Sequence, residues 1–513
     1  MLATALLLAA PMFMQTDETV KDFKRFYKKE KDPLNKIELI YSLEDIDDPG
    51  VAKVMIPILT DKDSTLAAAA LQVLIQLPSA EARQPLLNLL IEGKSKDLLP
   101  SIMRATADGK WTEFADASRV YLLDKDATVR LWAVTAAGSL KDKAALEPAC
   151  TLVLSDPHTL VRAAAIEAVV ALGKGQEAIA GPPLVAALND ENISVSVAAC
   201  VGLRTIRTKI AIDPLITLLE SGEGRVLEEI WPTLVEITDN QYNDDPGIWR
   251  RWWDQVQATY VIPTEAKIAE RRAARAATSA LYVAPKAEAD FMGVKTSSRQ
   301  IVFVIDVSGS MEEEVVDREG FRERGFTRFT KLAIVQEELA RSIDQLGANV
   351  VFNIYSFATE VEPWRKKPVP ANALNKKSAI SWVKKLKPIG GAAAGQRASA
   401  GLSGSSDMEK GRTNTYAGLL AGLGVSPDPK KRGPLTETAA EEIDKIADTM
   451  FFLSDGKPTV GELVDTEDIK KAIAEINRFR KVVIHTIAIG DVPSNFIKAL
   501  ADENGGVFVD LGR

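Results

Sequence analysis

The sequence predicts two architectures in one chain: an all-α solenoid in the first half and an α/β doubly wound sheet in the second. Three observations predict this. Between about residues 34 and 238, a turn containing Asp or Asn recurs roughly every 32 residues and is followed each time by an Ala-rich apolar stretch. From Arg299 onward, short apolar runs alternate with longer amphipathic ones, the pattern of a parallel sheet covered on both faces. Two of those runs, Ile301–Ile305 and Thr449–Leu453, end in hydroxyl and carboxylate residues.

At 513 residues the chain exceeds one ordinary domain. Its formal net charge of -8 gives no general attraction for nucleic acid or an anionic membrane. The two cysteines, Cys150 and Cys200, are too few for a disulfide framework and lack metal-ligand spacing. Both lie in apolar helical stretches and read as small buried hydrophobes.

The stretch Met1–Ala10 is apolar and uncharged, with the length of a signal-peptide core and too little to span a bilayer. Residues 1–15 are therefore expected to be a signal peptide and the protein exported, to the periplasm, the cell surface or the medium. A buried first helix in a cytoplasmic protein is the alternative. No other segment is suited to crossing a membrane.

Residues 20–240 read as helical repeats. A charged helix, Val20–Lys31, comes first. The turns Leu59–Asp63, Leu123–Asp126, Leu154–Pro157 and Leu188–Glu191 then precede the helices Leu66–Leu77, Val129–Leu140, Val161–Leu172 and Val195–Ile206, with a degenerate unit at Leu98–Ala107. A fixed period of this size marks a solenoid. Asp or Asn in the turn caps the following helix, and small residues such as Ala163, Ala164 and Ala165 let paired helices approach closely. The pattern resembles HEAT repeats, in their short PBS-lyase-like form. That resemblance implies a protein-binding surface or a rigid spacer.

Residues 241–298 close the repeats. Asp244 or Asp245 caps a helix opened by Pro246, and Trp249, Trp252 and Trp253 share one of its faces, a seal over the last repeat. In Glu265–Ala280, Lys267, Arg271, Arg272 and Arg275 are interleaved with Glu265 and Glu270, which reads as a solvated linker helix with ion pairs. Ala287–Lys295 reads as a lead-in strand.

Residues 299–513 supply strands at Ile301–Ile305, Asn349–Phe357, Thr449–Leu453, Val482–Ile489 and Val507–Leu511. Helices are expected near Lys331–Leu346, Asn375–Lys385, Thr415–Leu423 and Thr466–Arg480. Asp306, Ser308 and Ser310 fall where the first strand ends, the carboxyl edge at which open α/β sheets bind ligands. Three oxygen side chains on one turn suit a hard cation. Together with Thr413 and Asp455, these residues resemble the metal-ion-dependent adhesion site of von Willebrand factor type A domains, and the surrounding region resembles the Rossmann-like sheet of that family.

The resemblance implies a metal site formed by Asp306, Ser308, Ser310, Thr413 and Asp455. The ion would be Mg2+, or Mn2+ in the same shell, with Ca2+ fitting less well. It would complete its coordination with a Glu or Asp carboxylate of a protein partner. The solenoid would offer a second protein-binding surface. No nucleic acid is expected as a partner, and no integral membrane segment.

Two other readings stay open: an envelope or assembly component with a purely structural metal, and a metal-assisted hydrolase. Against the hydrolase, the chain has only two histidines, His158 in a repeat turn and His485 inside a strand, and it lacks a Gly-x-Ser-x-Gly elbow. No cofactor other than the metal and no catalytic residue is expected. Two insertions, the charged Met311–Thr330 and the Gly-, Ala- and Ser-rich Gly390–Lys410, would flank the metal edge. The second is expected to be a mobile loop.

Overall fold

The computed structural model describes residues 18–222, 224–276, 290–291, 293–391, 409–432, 447–490 and 494–511. The expected signal peptide and most of the Gly390–Lys410 insertion lie outside the described residues. The chain divides into two compact units, residues 1–189 with 428–440 and residues 190–427 with 441–513.

The first unit is helical throughout its described part, an all-α HEAT-like solenoid. The Ala-rich helices run over Ser64–Ile75, Ala127–Ser139 and Thr159–Gly173, with the degenerate repeat at Leu99–Gly109. Asp63 and Asp126 cap their helices as the turn chemistry predicts. His158 holds the equivalent position without a side-chain cap. The aspartate beside it serves a different purpose: Asp156 accepts the His158 amide (2.9 Å) and receives the Arg130 guanidinium in two bonds of 2.6 and 2.9 Å.

Arg162, one repeat beyond Arg130, donates to the Asp156 carbonyl (2.9 Å) as Arg130 donates to the Asp124 carbonyl (2.8 Å), so an arginine recurs on the turn before each helix, and Arg130 also joins that turn to the next. The Asp156 side chain is 1% exposed, and removing its partner would leave a buried charge uncompensated. Arg130→Ala should therefore cost about 3 kcal/mol, read as a lower denaturation midpoint in urea. On the outer surface Ile91, Leu123 and Leu154, 32 and 31 residues apart, stay exposed.

The second unit begins with helices Ile193–Ile206, Ile212–Ser221 and Val226–Thr238. Asn192 caps the first of these. The helix Pro246–Val256 follows, capped by Asp245. Trp249 and Trp253 are buried, and Trp252, edge-on to Trp249 (5.9 Å) and tilted on Trp253 (5.7 Å), joins them with Tyr242 and Tyr260 into one aromatic cluster. Arg250 on the same helix reaches Asp213, Glu220 and Thr217 of the helix Ile212–Ser221. In the described part of the linker helix, Glu265–Ala276, two arginines pair outside the helix and not with its interleaved glutamates: Arg272 with Glu236 (2.7 Å) and Arg271 with Asp239 (3.6 Å).

After a short hairpin, β1 (Asp290–Phe291) and β2 (Val294–Lys295), comes a seven-stranded sheet. Its strands are β3 (Gln300–Asp306), β4 (Val351–Phe357), β5 (Val361–Pro363), β6 (Val369–Pro370), β7 (Thr449–Ser454), β8 (Val483–Ala488) and β9 (Phe508–Asp510). The order is β5-β4-β3-β7-β8-β9, with β6 also on β4. The strands β4, β3, β7, β8 and β9 run parallel, while β5 and β6 are antiparallel additions that sequence reading missed.

Every residue of β3 after Gln300 is buried, as a continuous apolar run predicts for a strand covered on both faces. Phe303 stacks on Phe451 (5.5 Å) and Phe357 on Phe452 (5.3 Å), one pair in each of the two cores flanking the sheet.

The charge of Met311–Thr330 conceals an ordered core. Val315, Phe321 and Phe326 are buried, the two rings meeting edge-on at 5.4 Å around a short helix, Arg318–Glu323. Amide bonds from Val315 to Phe329 (2.9 Å) and from Lys331 to Glu313 (2.8 Å) fasten the loop to itself.

Candidate metal centre

The register of the sheet sets the site. Pairing of Ile305 with Leu453 brings Asp306 beside Ser454 at the carboxyl ends of β3 and β7. Asp306 is fully buried. One carboxylate oxygen accepts the Ser308 amide (2.8 Å) and the other the Ser454 hydroxyl (2.7 Å). The chain then turns tightly: the Gly309 amide bonds the Gly411 carbonyl (3.0 Å), and a Cβ at Gly309 would lie 2.5 Å from the Gly391 nitrogen. Only glycine lets the two backbones approach so closely.

The turn aims two hydroxyls at one place. Ser308 Oγ and Ser310 Oγ are 3.2 Å apart, and Ser310 donates to Asp455 Oδ1 (2.8 Å). Asp455 follows β7 directly, with a side chain that is 0% exposed. Thr413 precedes Asn414, the N-cap of the helix Thr415–Gly422. Its amide bonds Thr459 Oγ1 and its carbonyl the Thr459 amide (both 2.9 Å). A Cβ at Gly456 would lie 3.7 Å from Thr413 Oγ1 and 4.0 Å from Ser310 Oγ, so both hydroxyls border the same loop. All five sequence-predicted residues therefore converge.

The donor set of two carboxylates and three hydroxyls, without sulfur or nitrogen, suits a hard divalent cation. Among the described residues, no cluster of three or more His, Cys, Asp or Glu suited to a metal is present. Burial and the neighbouring charge of Asp455 push the Asp306 carboxyl up to about 6, against the pull of hydrogen bonds from Ser308 and Ser454.

Three contributors escaped sequence reading. Ser454 is one. The others are Lys331 and Glu313: the Lys331 ammonium lies 2.8 Å from Asp455 Oδ2 and 2.7 Å from Glu313 Oε2, with its side chain 8% exposed. Burial pulls the Lys331 value down, but its bonds to Asp455 and Glu313 outweigh this and raise it. A signal was present. Lys331 opens the helix Lys331–Gln345, the end where the helix dipole disfavours a cation.

Beside Gly456 a cavity of about 330 Å³ opens between the loop 456–458 and the helices starting at Thr466 and Ser494. His485 lies away from this edge. Its Nδ1 accepts the Val507 amide (3.0 Å), its ring stacks on Phe451, and burial with the nearby Arg225 charge pulls it down to about 4.

Comparison with known proteins bears on the two halves of the chain. Residues 299–400 and 423–510 match the von Willebrand factor type A domain family, and residues 117–180 match HEAT repeats. Inter-alpha-trypsin inhibitor heavy chain H1 of Mesocricetus auratus is 26% identical over 41% of this chain and 18% of its own. Heavy chain H4 of Homo sapiens is 27% identical over 44% of this chain and 19% of its own. The chain thus spans less than a fifth of the length of these relatives. Among solved structures, a von Willebrand factor type A protein from Catenulispora acidiphila aligns at 16% identity and a TM-score of 0.28, over 42% of this chain and 39% of its own.

Proposed function

We propose, for a chain that joins HEAT repeats to a von Willebrand factor type A domain, that it binds protein partners through a divalent metal ion. Asp306 and Asp455 would supply the only negative charges, and Ser308, Ser310 and Thr413 neutral oxygens. Magnesium, or manganese in its place, would offer its last position to a Glu or Asp carboxylate of the partner. Calcium prefers more ligands at longer distances and suits the set less well.

Five oxygen side chains from three separate segments meeting at one sheet edge carry this reading. So modest a donor charge leaves a bound divalent ion short of electrons and attractive to one more anion. The solenoid would give a second interaction surface, with Ile91, Leu123 and Leu154 among its exposed apolar side chains. Binding rather than catalysis is also supported by His485, whose accepting nitrogen is committed to a backbone amide inside the sheet. A role outside the cytoplasm follows if Met1–Ala10 is a leader. No described helix is long and apolar enough to cross a membrane.

Calorimetric titration with Mg2+ or Mn2+ tests the reading. One ion should bind per chain, Asp306→Ala should bind none, and an immobilised chain should retain acidic peptides in Mg2+ but release them in EDTA. Metal uptake unchanged in Asp306→Ala would overturn it. A purely structural ion would instead show as a large fall in melting temperature in EDTA with no effect on peptide retention.

A further inference from the structure

We infer that Lys331 is a tethered counter-ion of the metal site, whose fixed positive charge keeps the divalent ion loosely held. The inference rests on the metal-binding reading above and adds a residue to it. Asp455 divides its two oxygens: Oδ1 takes the Ser310 hydroxyl on the side of the proposed ligands, and Oδ2 takes the Lys331 ammonium. Lys331 thus sits one carboxylate away from the ion's seat, with its side chain 8% exposed and Asp455's at 0%.

Asp306 and Asp455 contribute two negative charges, and Lys331 returns one. A divalent ion arriving among them meets a buried net charge of -1 instead of -2. In a desolvated setting, one charge at this range changes an ion's affinity by a factor of ten or more.

The arrangement is built rather than incidental. Gly490, at φ +100°, follows β8, and a Cβ there would lie 2.7 Å from Lys331 Cε and 3.1 Å from Nζ. The sheet edge therefore leaves a passage for the lysine stem. Glu313 holds the ammonium from the solvent side, being 66% exposed, and its loop is pinned by the Lys331 amide on the Glu313 carbonyl. At the first turn of its helix the cation has no favourable helix-dipole interaction to explain it.

A lysine that merely braces the loop makes a different prediction from one that sets the site's charge. Loss of a brace loosens the ligands and leaves Mn2+ binding equal or weaker. Loss of a counter-ion makes it tighter. The test titrates Mn2+ alone into the full chain, comparing wild type with Lys331→Met, Lys331→Arg and Glu313→Gln. Lys331→Met should bind Mn2+ at least tenfold more tightly, and Lys331→Arg should stay within about threefold of wild type.

Glu313 is exposed, so Glu313→Gln provides an arm that does not depend on burying an unpaired Asp455. With the lysine charge less neutralised, its Mn2+ affinity should fall severalfold. Uptake by Lys331→Met that is no tighter than wild type, or by Glu313→Gln that is no weaker, overturns the inference. Asp306→Ala, titrated alongside, separates the two failures: only its unchanged uptake would sink the metal site itself.

Discussion

Replacing Asp306 with asparagine should make the metal-free chain more stable while abolishing its response to Mg2+. The carboxyl is fully buried and pushed up to about 6, above its ordinary value of 3.8. A group whose folded value lies above its unfolded value gives stability that is full below the unfolded value, near 3.8. That stability is lost as pH rises through the folded value, near 6. At pH 8 the bare carboxylate therefore burdens the fold by about 3 kcal/mol, roughly two units at about 1.4 kcal/mol each.

Asparagine retains an oxygen for the Ser308 amide and carries no charge to desolvate. Thermal melts in EDTA at pH 8 should show the variant melting above wild type, and the gap should close as pH falls toward 4. Added Mg2+ should raise the wild-type midpoint alone. A variant less stable than wild type in EDTA at pH 8 would count against this account of the site.

Asp455→Ala should move stability the opposite way, although both aspartates are assigned to the same ion. Asp455 has a cationic partner within the fold. Its loss strands the Lys331 ammonium against Glu313 alone and leaves the Ser310 hydroxyl without its acceptor. Truncating one member of a buried pair costs about 4 kcal/mol, well beyond the Coulomb gain of the pair itself. Urea denaturation in EDTA should place the three proteins in the order Asp306→Asn, wild type, Asp455→Ala, with neither variant stabilised by Mg2+. Equal shifts for the two would mean that the Lys331 contact contributes nothing to the metal-free fold.

The contrast also explains which parts of the site could be read from the sequence. Asp306, Ser308 and Ser310 lie within five residues at the end of an apolar run, and Asp455 repeats that arrangement, so a one-dimensional pattern was enough. Lys331 and Ser454 act through partners 124 and 148 residues away, a relation that only strand register and helix placement establish.

The same limit applied elsewhere. Met311–Thr330 reads as a charged insertion because Glu312, Glu313, Glu314, Arg318, Arg322 and Arg324 outnumber the buried Val315, Phe321 and Phe326, yet the minority decides its structure. The strands β5 and β6 are too short to give an alternation signal. The solenoid was more legible, since each repeat supplied a fresh copy of the same turn. The arginine contacts to the turns at Arg130 and Arg162, and the uncapped His158, went unread.

The two margins of the sheet restrict what can attach to it. On one side β5 and β6 are three- and two-residue pieces that each end in a proline, Pro363 and Pro370. On the other, β9 has three residues. Proline removes the amide that an added strand would need, and so short a flank offers too few main-chain groups to template another. Both margins of this sheet thereby disfavour backbone-mediated strand donation and sheet-to-sheet fibre growth. A partner that docks at these margins is left to side-chain recognition.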